Sequence, residues 1–442
     1  MFNYVVRRLL LMIPTFLGAT LLVFVILQMA PGGPLEKTVM QIQMGAQSGG
    51  GEAGSSGNSG SNSGTLLPKR ALKELERFYG FDKPIWQRYL IWLGVWPREI
   101  KHRNISFKSG ENEKKKNMGK RRYAYIKRDG ATLTVYDKEG NPSELWQARF
   151  DMDISDQEIE NFEKLKQDGK LNDIKKLDAT IYETEFSGVL TGNLGKSYTY
   201  QQPVTEVMKP RFKVSIMLGL TGWIIAYLVC IPLGIKKALR HGSRFDLVSS
   251  ALVFMAYSIP GWAFGGVLLV LFGGGSFLDV FPLGGLHSPQ EVWQELSFLG
   301  KVVDQVHHAI LPIIAWTIGS FASLTVLMKN SLMENMSQDY VRTAFSKGLR
   351  EKTVIIKHAV RNSLIPLATG IGGLIGIFLA GSYLIEKVFA IDGIGLLSFK
   401  AIGSRDYGII MGFLVIGTII RLLGNLISDL CYAAIDPRIR FK

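Results

Sequence analysis

The chain has 442 residues, 47% of them hydrophobic and 20% charged, with a formal net charge of +14 and a mean hydropathy of +0.16. The charges are unevenly spread: several windows of about twenty residues carry none, the length an α-helix needs to cross a hydrocarbon core. That pattern excludes a purely soluble enzyme and, despite the basic balance, a nucleic-acid-binding protein.

The first apolar run, Leu9–Ala30, follows Arg7 and Arg8. It is too long for the apolar core of a secretory signal. It ends in Ala30-Pro-Gly-Gly-Pro34 without a small-residue cleavage pattern, so it reads as a retained anchor. Residues 1–30 form this anchor and 31–97 a connecting segment. Within that segment, 45–64 holds eight glycines in twenty residues and reads as a flexible stretch. Residues 68–79 are helical in pattern through Leu72, Leu75 and Phe78. A second short helix follows Phe81, with Trp86, Tyr89, Trp92 and Trp96 suited to a membrane interface.

Residues 98–190 read as a small α+β insert between the first two spans. Tyr123–Lys127 and Thr132–Tyr136 flank Arg-Asp-Gly, a hairpin signal. Leu145–Phe150 suggests a third strand and Thr180–Phe186 a closing one, while Ser155-Asp-Gln-Glu158 opens a helix to about Gln167. The Lys114–Lys116 and Lys120–Arg122 cluster reads as a solvated face, with lipid head groups or a partner as the other option. Gly192-Asn-Leu-Gly-Lys-Ser197 mimics a phosphate-binding loop. That motif needs glycine where Leu190 stands, so no nucleotide site is expected in this chain.

Five further spans fill 191–435: Val214–Ile235, Leu247–Phe272, Ala309–Met328, Leu364–Leu384 and Gly408–Ala434, before a tail at 436–442. The expected fold is therefore an all-α polytopic membrane protein with six transmembrane helices. Lys and Arg total 16 in the two termini, 236–245 and 329–361, against 4 in 273–306 and 385–407. Both termini and the first set of loops thus face the cytoplasm, and the long 31–213 segment faces outward. Pro232, Pro260 and Pro312 are candidate kinks, and Gly372 with Gly376 gives the fifth span a small-residue face for close packing. Arg421 inside the sixth span either lines a pathway or bonds a neighbouring helix. Cys230 and Cys431 lie in apolar runs, and His307-His308 lack further ligands, so neither disulfide nor metal site is expected.

The loop 329–361 is the most informative stretch. Tyr340, Val341, Ala344 and Phe345 fall on one helical face, with Arg342 and Ser346 turned away, and Gly348 closes the helix in a left-handed cap. The spacing describes a short amphipathic helix offered to the cytoplasm.

Val341-Arg-Thr-Ala-Phe-Ser-Lys-Gly-Leu-Arg-Glu-Lys352, followed by Lys357-His-Ala-Val-Arg-Asn-Ser-Leu-Ile-Pro366, resembles the coupling loop of ABC importer permeases, specifically the oligopeptide/dipeptide/nickel branch. Thr343 and Ala344 match its two alanine positions and Gly348 its glycine. Arg342 replaces a glutamate, and Pro366 lies further on than in the general motif, as is usual in the peptide branch. The resemblance extends to Gln28-Met-Ala-Pro-Gly-Gly-Pro34, Gly192–Ser197, Ile385-Glu-Lys-Val-Phe-Ala-Ile-Asp-Gly-Ile-Gly-Leu-Leu397, Ser404-Arg-Asp-Tyr407 and Asp436-Pro-Arg-Ile-Arg440. Gly80–Ile85, Ile231–Ala238 and Gly242–Asp246 look closest to the microcin C / peptide sub-branch. It covers roughly 1–97 and 191–442; the insert has no recognised counterpart.

The resemblance implies a type I ABC importer transmembrane domain in the inner membrane, with no catalytic or metal residues of its own. A second permease chain, two ATPase subunits that bind ATP and Mg, and an external binding protein carrying a peptide-like solute are the implied partners. Tyr340, Val341, Arg342, Thr343, Ala344, Lys347 and Gly348 are the implied ATPase-coupling residues. Arg421, Glu386, Asp392, Gly393 and Gly395 are candidates for the pathway or for contact with the binding protein. The competing classes are an ion-coupled secondary transporter, which would show intramembrane carboxylates and an internal repeat, and a membrane-bound enzyme, for which no motif is present.

Overall fold

The computed structural model describes residues 2–30, 32–33, 35–36, 38–40, 75–76, 80–108, 111–119, 122–151, 177–275, 277–368 and 382–435. The stretch 45–64, most of 68–79, the helix expected from Ser155, most of the fifth span and the tail 436–442 lie outside these residues. The chain divides into two compact units, Met1–Leu27 with Lys196–Lys442, and Gln28–Gly195.

The first span is helix α1 (Phe2–Met29), and it continues unbroken through Pro14. In the Gln28–Gly195 unit, α2 (Ile85–Leu93) stops at Gly94, whose φ of 93° is left-handed and whose N–H donates to Leu90 and Ile91. Six strands follow: β1 (Arg98–Phe107), β2 (Glu113–Gly119), β3 (Arg122–Asp129), β4 (Thr132–Tyr136), β5 (Trp146–Phe150) and β6 (Leu177–Glu185). They make two antiparallel sheets, β1-β6-β5 and β2-β3-β4. The expected hairpin is β3–β4, turning at Gly130 with φ 56°, and the two later strands are β5 and β6. Alternation makes the core: Trp146, Ala148 and Phe150 point in from β5, meeting Ile105, Phe107, Ile126, Val135 and Ile181. The sequence did not reveal β1 and β2. Lys114–Lys116 form the body of β2, an edge strand on which only Met118 is buried, so no apolar alternation marks it.

The insert begins and ends at one point. Arg98 pairs with Glu185 at the mouth of the β1–β6 ladder. Just outside it Gly188 crosses Gly94 so closely that a Cβ on Gly188 would overlap the Gly94 backbone. Glycine at 188 is a steric requirement of that crossing, and at 94 the left-handed φ of 93° selects it.

The other unit is helical. It comprises α3 (Val204–Leu239), α4 (Arg244–Ser258), α5 (Gly261–Phe272), the short α6 (Gln290–Glu295), α7 (Phe298–Met336), α8 (Asp339–Ser346), α9 (Tyr383–Val388), α10 (Ile394–Ser404) and α11 (Tyr407–Ile435). Among the described residues, α1, α3, α7 and α11 are each long and apolar enough to span a membrane, and the α4–α5 pair is a fifth candidate. That pair corrects the expected third span: it is bent by 96°. Pro260 lacks the N–H the helix needs and pushes Ile259 to φ −96° and ψ 122°, so the chain breaks there. Pro232 and Pro312, by contrast, sit inside unbroken α3 and α7. These two helices cross closely because Gly222 and Gly234 lack side chains: a Cβ would lie 3.2 Å from Thr317 and 2.6 Å from Met328.

Candidate functional site

Helix α8 is only eight residues long, too short to be stable by itself, so its packing holds it. Val341 (2% exposed) and Ala344 (7%) are one turn apart and sit on Met328 and Leu332 of α7, Ala238 at the end of α3, and Val354 and Ala359 of the following segment. That segment, Glu351–Ser363, is helical throughout, with π winding over Val354–Val360. It is tied to α7 by reciprocal bonds: Ser331 Oγ donates to the Ser363 carbonyl at 3.0 Å, and Ser363 Oγ donates to the Ser331 carbonyl at 3.3 Å. π winding is rare and favours places where a helix is adjusted for function.

The expected single apolar face of α8 is divided. Val341 and Ala344 are buried, while Tyr340 (38%) and Phe345 (44%) are exposed. On a helix they flank the buried pair by roughly 70° on either side, beyond the reach of the bundle. Arg342, Thr343 and Lys347 are exposed too. Asp339 lies in the first turn, where a carboxylate suits the helix dipole, and Thr343 Oγ1 donates to its carbonyl at 2.8 Å. The helix closes as expected: Gly348 has φ 75°, and its N–H donates to Phe345 O at 2.9 Å. No atom lies within 4 Å of a Cβ built there, so dihedral strain and not space selects glycine.

Beside α8 lies a charge cluster the sequence reading missed. Asp246, at the start of α4, receives both its oxygens' bonds from Lys329 Nζ of α7 at 2.8 and 2.7 Å. Lys237 of α3 is 1% exposed and donates to Ser249 at 2.9 Å, to Ser250 at 2.7 Å and to the Asp246 carbonyl at 3.2 Å. Three helices are thereby fixed to one another at the α8 end. The available signal was Ile231–Ala238 and Gly242–Asp246, two of the segments that carried the resemblance and had no role attached.

At the opposite end, α9 and α10 form a hairpin. Glu386 is fully buried. Its carboxylate accepts from Ser215 Oγ of α3 at 2.9 Å and from the Leu396 N–H at 2.6 Å, with the Gly395 N–H adding to the cradle. Ser215 Oγ in turn accepts from the Ile394 N–H at 2.9 Å. Glu386 is therefore the cap of α10, set on the free N–H groups of its first turn. Burial pushes its carboxyl above the usual range, and those hydrogen bonds oppose the shift. A Cβ on Gly393 would overlap this carboxylate, so the chain needs glycine there. The candidate contacts are thus sorted. Glu386, Gly393 and Gly395 are buried and build the hairpin. Asp392 is 59% exposed and pairs with Arg211 of α3 at 2.7 Å.

Two more motif segments meet nearby. Asp406, fully buried, accepts from Ser197 Oγ at 2.5 Å and from the Thr199 N–H at 3.0 Å, and caps α11 through the Ile409 N–H at 3.3 Å. So Ser197 and Thr199 act as structural partners of Asp406 in Ser404-Arg-Asp-Tyr407. Arg421 stands alone in the middle of α11, exposed, with no hydrogen bond or ion pair among the described residues.

A bundle of apolar helices with a docked amphipathic helix at one end and a capped hairpin at the other describes a transmembrane subunit of a transporter. Residues 230–441 match the family described as binding-protein-dependent transport system inner membrane component. The chain is 33% identical over 99% of its length, and 99% of the relative's, to the inner membrane ABC transporter permease protein YejB of Escherichia coli O157:H7. It is 32% identical, over 99% and 98%, to the peptidoglycan transport system permease protein YejB of Agrobacterium fabrum. The dipeptide transport system permease protein DppB of Escherichia coli K12 is 35% identical over 58% of this chain and 79% of its own. The chain belongs to this family of ABC importer permeases. Membership sets aside the secondary-transporter reading.

Proposed function

We propose that this chain is one of two membrane subunits of an importer for a peptide-like solute, six helices deep, with both termini and α8 in the cytoplasm and the insert outside. A second, different permease chain completes the pathway. Two ATPase subunits hold ATP and Mg and dock on the coupling helices, and an external binding protein delivers the solute. The solute class rests on the relatives, which are named for dipeptide, oligopeptide and peptidoglycan transport.

The observation that carries the reading is the division of α8. Its inner side is locked to α3, α7 and the π-wound segment. Its outer side presents two aromatic residues with Arg342 and Lys347 between and beside them, the residue types that anchor protein interfaces. A rigid helix of this kind passes a push from the ATPase into the spans as a body. Replacing Tyr340 and Phe345 together by Ala should release the ATPase subunits during purification of the assembled complex and abolish ATP-driven uptake, with membrane insertion intact. Normal retention and uptake would refute this role for α8.

A further inference from the structure

We infer that the Arg421 face of α11 lines the translocation path and that Arg421 reads a carboxylate of the moving solute. This rests on the reading of the chain as the permease subunit of a peptide importer.

The helix exposes two faces of opposite character. Ile419, Leu423 and Ile427 are 41–42% exposed at successive turns, an apolar row suited to lipid or to a partner helix. Arg421 and Asn425 are exposed one turn apart on another face, continued by the half-buried Thr418 and Ser428. Residues two apart on a helix lie about 200° apart, so the polar row stands opposite the apolar one. Arg421 is fourteen residues from Tyr407 and fourteen from Ile435, at mid-membrane depth, too far in for its head group to reach either interface comfortably. A charge at that depth faces a water-filled cavity or an opposite charge. The acidic residue on this helix, Asp429, is held elsewhere: it accepts from Tyr4 at 2.8 Å and pairs with Arg8 at 3.0 Å, both on α1. Among the described residues Arg421 has no hydrogen bond or ion pair, so its planar fork of donors is available there, the geometry that binds a carboxylate through two parallel bonds. Asn425, one turn on, adds an amide for the adjoining peptide group.

The test uses the whole transporter in proteoliposomes, with its second permease, ATPase subunits and binding protein, and compares trialanine with trialanine amide. One binding protein loads both permease variants, so its own preference cancels when variants are compared. Arg421→Gln should lower trialanine uptake about tenfold and leave the amide unchanged, and Arg421→Lys should restore part of the difference. Equal losses for both peptides, or a complex that no longer holds its second permease, would place Arg421 at a subunit interface and overturn the inference. If the unaltered transporter carries neither peptide, the peptide reading fails, and the carboxylate assignment fails with it. Labelling separates the path from the solute. In a background without Cys230 and Cys431, Asn425→Cys should react with a membrane-impermeant thiol reagent and Leu423→Cys should not; the reverse pattern would overturn the inference.

Discussion

At the scale of single residues, Gly348 shows that a glycine's reason matters more than its presence. The position is open on all sides, yet its φ of 75° is one that side-chain-bearing residues adopt at a cost of about 1–2 kcal/mol. Size alone should therefore be tolerated. Gly348→Val, β-branched and strained, should unwind the end of α8 and lower ATP-driven uptake by about tenfold or more without affecting membrane insertion. Gly348→Asn, which takes the left-handed conformation readily, should keep most of the uptake. Equal uptake losses in the two variants would mean that space and not dihedral angle is limiting. This glycine was legible because helix periodicity ended just before it. Glu386 was legible only as part of a recurring segment. Its role could not be read, since a carboxylate that meets Ser215 and Leu396 depends on contacts 171 and 10 residues away.

At the scale of elements, the α9–α10 hairpin stands on one buried carboxylate. Removing it leaves the first-turn N–H groups of α10 and the Ser215 hydroxyl without acceptors, at about 1–3 kcal/mol for each group left unsatisfied. Glu386→Ala should lower the thermal midpoint of the purified subunit, and Glu386→Gln, which keeps one acceptor oxygen, should lower it less. The raised carboxyl adds a pH signature. A folded-state value above the unfolded one favours folding in acid, and that share of stability is lost as pH rises through the raised value. Glu386→Gln should flatten this part of the melting-versus-pH curve; an unchanged curve would count against a buried, titrating Glu386. Elements whose apolar residues recur at fixed spacing, such as α3, α7 and α11, were readable from pattern alone. The 96° bend at Pro260 was half legible: proline marked the place, but Pro232 and Pro312 carry the same signal and leave their helices continuous. Neighbouring packing separates the cases, and a Cβ on Gly261 would lie 2.5 Å from the Ala315 carbonyl, so the break is also a contact.

At the scale of the whole molecule, hydropathy marked the long apolar helices α1, α3, α7 and α11, whereas the β module was legible in its hairpin and opaque in its lysine-rich edge. Its core of Ile105, Phe107, Ile126, Trp146 and Ile181 is drawn wholly from its own strands. Residues 95–187 made alone should fold into a soluble β module with cooperative melting, and the subunit with Gly94 joined directly to Gly188 should still insert and assemble. Failure of the shortened chain to assemble would show that the insert is needed for more than itself. The crossing of Gly94 and Gly188 has a broader consequence. A polypeptide that departs and returns at touching backbones costs its host almost no rearrangement, whatever its length or sequence. Such a seam lets the intervening β module be lengthened, exchanged or lost over generations at little structural cost to the segments on either side of it.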